Sequence, residues 1–374
     1  MATQDHVYDV IVVGAGAAGV GVGVSLRHAE ISNFLLVDRH GVGASFDKWP
    51  AETRFITPSF PTNSIGMLDI NSVAIGVSPA FSMKSEHPTG AEYAAHLRGV
   101  AKLFELPVQR NIDVRRIDKD GDTFRLQTNQ QTLLAKHVIW AAGEFQYPNR
   151  HVFTGSDRCR HTATIATYSA LEGDDFVVIG GYESGVDVAF HLSKRGKRVR
   201  ILDEGCPWEA TTSDPSVALS TYSIERMRES HFAENVTLAP NSTVESVTSH
   251  GTSFEVRTRD GERFVTNTPP LLATGFSGSH ALVANLFEQR DDGFPRINEH
   301  DESTIVPGAF ICGPAVRHDD HIFCFLYKYR QRFGIVAKAI ATSLGMDTTA
   351  LEVYYRTWGM FLDDLSCCGE ECVC

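Results

Sequence analysis

The sequence predicts an α/β protein of two three-layer units, and three observations in its 374 residues support that prediction. A buried strand, a glycine-rich turn, a helix of small residues and a second strand follow one another in YDVIVVGAGAAGVGVGVSL and NFLLVD. The same order returns in DDFVVIGGYESGVDVAFHLSKRGKRVRILDEG. Two similar segments, at 137–148 and 269–279, are each a strand that ends in small residues. Strands that alternate with helices favour parallel sheets covered by helices on both faces.

Composition is typical of globular proteins and excludes some functions. The chain is 43% hydrophobic and 21% charged, with a formal net charge of −12. Because a phosphate backbone demands a basic face, nucleic acid is not an expected partner. The first ten residues lack the basic and apolar regions of a signal peptide, and no apolar run has membrane-spanning length. We therefore expect a cytoplasmic protein of about two domains, without a membrane partner.

The first glycine-rich turn has the pattern of a dinucleotide site. Gly14, Gly16 and Gly19 follow the strand Tyr8 to Val13 as G-x-G-x-x-G. The first glycine makes a tight turn, the second lets the backbone approach a pyrophosphate, and the third lets helix and strand pack closely. The pyrophosphate would lie at the helix N-terminus, where free N–H groups favour negative charge. Asp38 ends the next strand and is placed to bind a ribose, so this unit is Rossmann-like.

The second glycine-rich turn departs from the pattern at one position. Gly180 and Gly185 match the first and third glycines, but Tyr182 stands in the middle position, where a side chain most obstructs a pyrophosphate. A second Rossmann-like unit that binds nothing is therefore an alternative. Asp203 and Glu204 end the following strand and favour NADH, because acids there repel the 2′-phosphate of NADPH. Four nearby basic residues could compensate, so the choice stays open: Arg195, Lys197, Arg198 and Arg200.

In this order the pieces resemble the flavoproteins with two dinucleotide-binding domains, which include relatives of glutathione and thioredoxin reductases and the flavin-containing monooxygenases. The resemblance covers about residues 1–345. It implies FAD in the first unit, NADH or NADPH in an inserted second unit, and hydride transfer onto the flavin. The FAD domain is then discontinuous, at 1–165 and 272–350, with an NAD(P)-type domain at 166–271 and a cysteine-rich tail at 351–374. The resemblance also implies a homodimer.

Cysteine positions and short segments separate the branches of this group. Disulfide reductases of the group carry a dithiol beside the flavin, whereas the internal cysteines here are isolated: Cys159, Cys206, Cys312 and Cys324. An acid that usually follows the late glycine is missing, since Pro314 follows Gly313. GASFDKWP and LATGF are similar to monooxygenase segments, and GGYESGVDVA is similar to the turn of the bacillithiol-disulfide-reductase-like group. The monooxygenase fingerprint F-x-G-x3-H is present only in part, because five residues instead of three separate Gly155 from His161.

The resemblance assigns residues to each cofactor. The expected FAD contacts are Gly14, Gly16, Gly19, Asp38, Arg39, Trp49, Val114, Gly143, Gly313, Ile322 and Phe323. The expected NAD(P)H contacts are Gly180, Tyr182, Glu183, Ser184, Gly185, Asp203 and Gly275. Ile322 and Phe323 are chosen because a helix predicted over 322–344 would point its N-terminus at the negative charge of a reduced flavin; core packing is their alternative. His321, with His318, is a candidate proton relay or else part of a solvated helix cap, and we expect no metal site.

Half of the chain's eight cysteines lie in its last eight residues: Cys367, Cys368, Cys372 and Cys374. Three interpretations stay open. The thiols accept electrons from the flavin and pass them to a substrate, as C-terminal pairs do in mercuric reductases and some thioredoxin reductases. They bind a metal, although the spacing C-C-x3-C-x-C differs from that of structural zinc sites. In the third interpretation the tail is incidental.

Together these features predict an FAD-dependent, NAD(P)H-linked oxidoreductase. We expect a disulfide or thiol-bound small molecule as its substrate, with the four tail cysteines as the catalytic relay and His321 as a further catalytic residue. Two alternatives remain. One is a flavin-containing monooxygenase-like enzyme that oxygenates a sulfur or nitrogen atom. The other is a redox-sensing or metal-binding flavoprotein without turnover.

Overall fold

The computed structural model describes residues 6–212 and 214–366, and the predicted α/β fold is confirmed. The four tail cysteines lie outside the described residues. The strands are β1 (Val7–Val13), β2 (Phe34–Asp38), β3 (Val108–Arg110), β4 (Val114–Asp120), β5 (Thr123–Thr128), β6 (Thr132–Trp140), β7 (Arg160–His161), β8 (Asp175–Ile179), β9 (Arg198–Leu202), β10 (Val236–Ala239), β11 (Val244–His250), β12 (Ser253–Thr258), β13 (Arg263–Thr266), β14 (Leu271–Leu272), β15 (Ala309–Ile311), β16 (Arg317–His318) and β17 (His321–Ile322). The helices are α1 (Ala17–His28), α2 (Ala44–Asp47), α3 (Pro79–Met83), α4 (Gly90–Leu103), α5 (Glu183–Ser193), α6 (Thr221–Met227), α7 (Ser230–Asn235), α8 (Leu326–Tyr329), α9 (Phe333–Ser343) and α10 (Thr349–Thr357).

The first fold is built on the larger sheet. Its parallel strands follow the order β3-β2-β1-β6, and β15 pairs in parallel with the C-terminal part of β6. The N-terminal part of β6 instead pairs antiparallel with β5, which continues to β4. The residues from Val10 to Val13 are all buried, as expected for a strand whose sheet is covered on both faces. The apolar residues of β1 thus lie in the interior of the first fold, between β2 and β6.

Helix α1 is rich in small residues because it packs closely between the sheet and the C-terminal helices. A Cβ atom on Gly21 would collide with the ring of Phe333 in α9. A Cβ atom on Gly23 would lie 3.3 Å from Leu36 and from Leu106. Overpacking of this kind is destabilising in a close-packed core. The small residues therefore let α1 pack closely against Leu36 of the sheet and against Phe333 of α9.

The second fold is built on a parallel sheet with the order β10-β9-β8-β14-β7. The antiparallel strands β11, β12 and β13 form a separate small sheet beside it. All of these strands fall between β6 and β15 along the chain, so the second fold is inserted into the first, as the sequence predicts. Strand β7 already belongs to the second sheet, which therefore begins before the expected boundary at residue 165. Its central strand β8 leads directly into the second glycine turn and α5.

A buried polar network joins the two folds. The carboxylate of Asp187, on α5, accepts hydrogen bonds from Thr53 Oγ1 of the first fold at 2.6 Å and from Arg226 Nη2 at 2.7 Å. Glu52 accepts hydrogen bonds from the backbone N–H groups of Tyr168 and Ser169 at 2.9 and 3.0 Å. The side chains of Asp187 and Arg226 are only 9% and 7% exposed, so each charge depends on the other. This network fixes the orientation of the second fold relative to the first.

The helix predicted over 322–344 begins instead at Leu326. Residues before it form a hairpin of β16 and β17, in which His318 pairs with His321. Asp319 takes a left-handed φ of 49° at the hairpin. Ile322 therefore lies in a strand, and the expectation that it stands at a helix N-terminus is wrong; Phe323 is buried and also precedes the helix. Helix α8 begins at Leu326, and a 3₁₀ turn at Arg330–Arg332 connects it to α9.

Helix lengths also bear on membrane association. Across residues 6–212 and 214–366, every helix is too short or too polar to cross a bilayer.

Candidate functional site

The first glycine turn forms an open cradle. Gly14 has a φ of 112°, and a Cβ atom there would collide with the backbone of Ala141, which follows β6. A Cβ atom on Gly19 would collide with the carbonyl of Gly14. Gly16 differs, because a Cβ atom built on it would meet no atom of the described residues within 4 Å. The space over Gly16, at the N-terminus of α1, is thus available to a phosphate group.

Asp38 holds this turn in place. Its Oδ2 accepts a hydrogen bond from Ala15 N at 2.8 Å, and its Oδ1 accepts from His40 N at 2.7 Å and Gly41 N at 2.6 Å. The sequence predicts Asp38 as a ribose ligand, and the structure adds a second task, which is to tie the glycine turn to the loop after β2. Its neighbour Arg39 donates to Asp113 Oδ1 at 2.7 Å. The C-terminal ends of β1 and β2 therefore lie close to the start of β4.

The other expected FAD residues divide into two groups. Gly143 follows β6 and Gly313 follows β15; these two strands are neighbours, and both end beside the glycine turn. A Cβ atom on Gly313 would lie 3.1 Å from Ala18 in the first turn of α1. Trp49 instead packs in an aromatic cluster, 5.2 Å from the ring of Phe46. Val114 is buried in the core at the start of β4. Gly143 and Gly313 thus lie beside the cradle, whereas Trp49 and Val114 pack against other side chains and stay predictions as FAD contacts.

A small cavity beside Gly143 contains the carboxyl group of Glu144, which none of the sequence motifs predicts as a site residue. Glu144 lines it together with Phe294 and Pro314. Burial raises the pKa of Glu144 to about 6, although the nearby charge of Arg317 acts in the opposite direction. The guanidinium of Arg317 lies 4.0 Å from the centre of the Phe294 ring, and burial lowers its pKa. An acid directly after the small residues of AAGEF was the available sequence signal.

The second glycine turn repeats the geometry of the first. Gly180 has a φ of 102°, and a Cβ atom there would collide with the carbonyl of Ala273. A Cβ atom on Gly185 would collide with the carbonyl of Gly180. Asp203 accepts hydrogen bonds from Gly181 N at 2.6 Å and from Gly205 N and Cys206 N at 2.8 Å. The glycine contacts and the hydrogen bonds of Asp203 thus correspond to the glycine contacts and the hydrogen bonds of Asp38 in the first turn.

Tyr182 makes the second turn different in its contacts. Its hydroxyl donates to the carbonyl of Pro215 and lies 3.3 Å from that of Ala218, so the side chain extends from the turn to another segment. Glu183, the first residue of α5, accepts hydrogen bonds from Ser220 N at 2.6 Å and Ser223 Oγ at 2.5 Å. Ser184 beside it is exposed, and Gly275 lies in the loop after β14. The side chains of Tyr182 and Glu183 are therefore committed to protein contacts, and that of Ser184 is not.

The two histidines of the hairpin have separate surroundings. His318 Nε2 lies 2.6 Å from Asp301 Oδ1, and Asp301 also pairs with Arg332 at 2.7 Å. The side chains of Asp301 and Arg332 are 0% and 1% exposed, so this pair belongs to the core. His321 Nδ1 lies 3.1 Å from the carbonyl of His318, while its Nε2 is buried and has no hydrogen-bond partner in the described part of the chain. His318 is thus a structural residue, and His321 stays a candidate.

Residues 11–313 match the model of the pyridine nucleotide-disulphide oxidoreductase family. The chain belongs to this family. Members of the family use FAD and a pyridine nucleotide in general, and the chain is an FAD-dependent oxidoreductase.

Relatives agree with this assignment. Bacilliredoxin reductase Bdr of Bacillus subtilis is 24% identical over 337 residues, which cover 88% of this chain and 97% of Bdr. An uncharacterised CzcO-like oxidoreductase of Geobacillus kaustophilus is 28% identical over 193 residues, so this chain spans about half, 52%, of its length. The solved bacillithiol disulfide reductase Bdr of Bacillus cereus is similar with a TM-score of 0.73 and 22% identity, covering 90% of this chain and 100% of that one. A flavin-containing monooxygenase of Stenotrophomonas maltophilia is similar with a TM-score of 0.71 and 18% identity, covering 91% and 100%.

The first fold suits the flavin nucleotide that the family requires. The open space over Gly16 and the free N-terminus of α1 would receive the pyrophosphate, and Gly143 and Gly313 leave room along the same edge. Asp38 would present its carboxylate to the ribose while holding the turn. Bound there, FAD supplies two-electron transfer between a donor and an acceptor.

The second fold, in this conformation, does not leave the corresponding space open. Tyr182 stands at the middle position of the turn and reaches the backbone of Pro215. A Cβ atom on Gly181 would collide with the ring of Trp208, so that ring also lies against the turn. The residues present therefore do not fit a pyrophosphate as they stand.

The internal thiols offer no dithiol for this family's chemistry. The four cysteines within the described residues are free: Cys159, Cys206, Cys312 and Cys324. Burial raises the pKa of Cys159 to about 12 and that of Cys312 well above its ordinary value. Cys324 Sγ lies 3.3 Å from Ser216 Oγ, and burial raises its pKa as well. Thiols protonated in this way are poor nucleophiles. In the part of the chain that the structure covers, no three His, Cys, Asp or Glu side chains are grouped for a metal ion.

Proposed function

We propose that this protein reduces a disulfide or a thiol-bound small molecule, using FAD in the first fold and the four C-terminal cysteines as relay. The family, and the similarity to bacilliredoxin reductase Bdr over nearly the whole length of that protein, support a thiol–disulfide substrate. Within residues 6–212 and 214–366 the four cysteines form no paired dithiol, so the cysteines of the tail are the candidates for the relay.

The observation that carries the relay proposal is the attachment of the segment before the tail. Helix α10 buries Leu351 and Tyr355, and the following Met360 is 1% exposed. Leu362 N donates to Gln331 O at 3.1 Å, and Arg332 Nη1 donates back to Leu362 O at 2.5 Å. The chain is thus held against the first fold up to the residues that directly precede the cysteines. The proposal assigns the relay to the cysteines that follow this attached segment in the sequence.

Within this proposal the chain's own residues have defined tasks. The turn at Gly16 binds the pyrophosphate and Asp38 orients the ribose. A thiolate of the tail attacks the substrate disulfide, which forms a mixed disulfide and releases one thiol. A second tail thiol then attacks that mixed disulfide, which releases the other half of the substrate and leaves a disulfide in the tail. The two electrons that return that disulfide to two thiols would come from reduced FAD held in the first fold, with two protons taken up.

The experiment uses chemically reduced protein and needs no pyridine nucleotide. The FAD-loaded protein is reduced with dithionite under nitrogen, excess reductant is removed, and glutathione disulfide or bacillithiol disulfide is added. With excess disulfide, we expect two thiols released for each reduced flavin and two more for each tail dithiol that was reduced at the start, and loss of this release when all four tail cysteines are changed to serine. Cys159→Ser is the matched control and should keep the release, because Cys159 is an internal thiol with a raised pKa. Full release by the fourfold serine variant would disprove the relay, and no release by the wild type would disprove the substrate class.

A further inference from the structure

Residues 214–220, here called the strap, lie between the two folds. On the side of the second fold, the Tyr182 hydroxyl donates to the carbonyl of Pro215 and lies 3.3 Å from that of Ala218. The carboxylate of Glu183 accepts hydrogen bonds from Ser220 N at 2.6 Å and Ser220 Oγ at 3.2 Å. The two residues that begin the second nucleotide turn therefore both bind the strap.

The first fold holds the other end of the strap. Lys328, on α8, donates from Nζ to Asp214 Oδ1 and to Ser216 Oγ, both at 2.9 Å. Burial opposes ionisation of Asp214, but hydrogen bonds from Ser216 and Lys328 outweigh it and keep the pKa of Asp214 below its usual value. Ser216 Oγ also lies 3.3 Å from Cys324 Sγ. The strap is thus clamped between the second glycine turn and the start of the C-terminal helices.

The strap contacts the part of the second turn at which a pyridine nucleotide would bind. A pyridine nucleotide bound by the second turn would place its pyrophosphate at the middle position of the pattern, which Tyr182 occupies. In the first turn the equivalent Gly16 is open within the described structure. The nucleotide and the present arrangement of Tyr182 and the strap therefore compete for one space.

We infer that the strap is a closed gate over the pyridine-nucleotide site of the second fold, and that a nucleotide binds only after Tyr182 and Lys328 release it. The closed form lowers the apparent affinity of the nucleotide, because only the open fraction of molecules can bind. This inference concerns the entry of electrons and goes beyond the proposed function, whose own test uses no nucleotide. A result that disproves the gate therefore does not disprove the thiol relay, and a result that disproves the relay does not disprove the gate.

Two variants loosen the gate without removing the second turn. Tyr182→Phe removes the hydroxyl that bonds to Pro215 and Ala218, and Lys328→Met removes the ammonium that bonds to Asp214 and Ser216. Lys338→Met is the matched control, since Lys338 pairs with Glu352 on the outer side of the C-terminal helices. Retained flavin and an unchanged circular dichroism spectrum establish that each variant is folded.

Binding of NAD⁺ and NADP⁺ to the FAD-loaded proteins is measured by isothermal titration calorimetry, and hydrogen exchange is followed at the amides of residues 214–220. We expect Tyr182→Phe and Lys328→Met each to tighten binding of the preferred nucleotide by about threefold to tenfold, the range expected when one hydrogen-bonding group of the closed gate is removed. Lys338→Met should bind like the wild type. Strap amides should exchange faster when nucleotide is bound.

Either of two results would overturn the gate. In the first, wild type and both variants bind nucleotide equally while the strap amides keep their protection. In the second, neither the wild type nor any variant binds nucleotide at millimolar concentration, which would make the second fold permanently closed.

Discussion

Asp38 and Asp203 hold two glycine turns with the same set of hydrogen bonds. Each carboxylate accepts from the N–H of the residue after the first glycine and from two N–H groups of the loop that follows its own strand, at 2.6–2.8 Å. These bonds are made without any nucleotide. The acid at this position is therefore a structural support as well as a candidate ribose ligand.

Replacing these acids by asparagine separates the two tasks. Asp38→Asn and Asp203→Asn each weaken charge-assisted hydrogen bonds to backbone N–H groups, and we expect each to lower the free energy of unfolding by about 2–3 kcal/mol. Urea unfolding measures that loss. Only Asp38→Asn should also reduce the flavin content of the purified protein, measured from the absorbance of released FAD. Equal flavin loss in both variants would contradict a separate role for Asp38.

Filling the first cradle should abolish flavin binding without unfolding the protein. Gly16 has a φ of −79°, which any residue adopts, so Gly16→Tyr brings no backbone strain. The tyrosine side chain would occupy the phosphate space, and we expect purified Gly16→Tyr to lack FAD. Gly16→Ala is the control and should keep most of it, because its methyl group meets no described atom within 4 Å. A fully flavinated Gly16→Tyr variant would show that FAD lies elsewhere.

Glu144 should make stability depend on pH. Burial raises its pKa from 4.5 to about 6, so the folded protein binds more protons than the unfolded chain between those values. By linkage, the stabilisation of the neutral form is complete below about pH 4.5 and is lost as pH rises through about 6, a change of about 1–2 kcal/mol. Glu144→Gln should remove this part of the pH dependence in urea unfolding measured from pH 4 to about 7. An identical profile for the variant and the wild type would contradict the buried environment.

The network between the folds should contribute strongly to stability. Asp187→Ala leaves the buried guanidinium of Arg226 without its partner, and we expect a cost of about 3–5 kcal/mol in the free energy of unfolding. Removing both charges in Asp187→Ala with Arg226→Met should cost less than the single change. Thr53→Val deletes the hydrogen bond to Asp187 and the longer one, at 3.3 Å, with the Tyr168 hydroxyl, and should cost about 1–2 kcal/mol. A cost below about 1 kcal/mol for Asp187→Ala would mean that water replaces the lost contact.

The sequence predicts those features that depend on local pattern. The glycine positions of both turns and the strands around them follow from steric needs of the backbone, which few other residues satisfy. The start of the helix expected over 322–344 is predicted wrongly, because the hairpin before it depends on Asp319 in a left-handed conformation and on the distant contact of His318 with Asp301. The strap is likewise set by contacts of Lys328 across more than one hundred positions of the chain. Hydrophobic periodicity carries no information about such long-range polar pairs.

Because Asp38 and Asp203 tie their turns in place by themselves, the shape of each turn does not depend on the residue at its middle position. Gly16 and Tyr182 occupy that position in backbones that otherwise agree. A single codon can therefore change what such a turn accepts while the surrounding sheet keeps folding. Two units with the same turn geometry can therefore differ in ligand choice through a point substitution at this position.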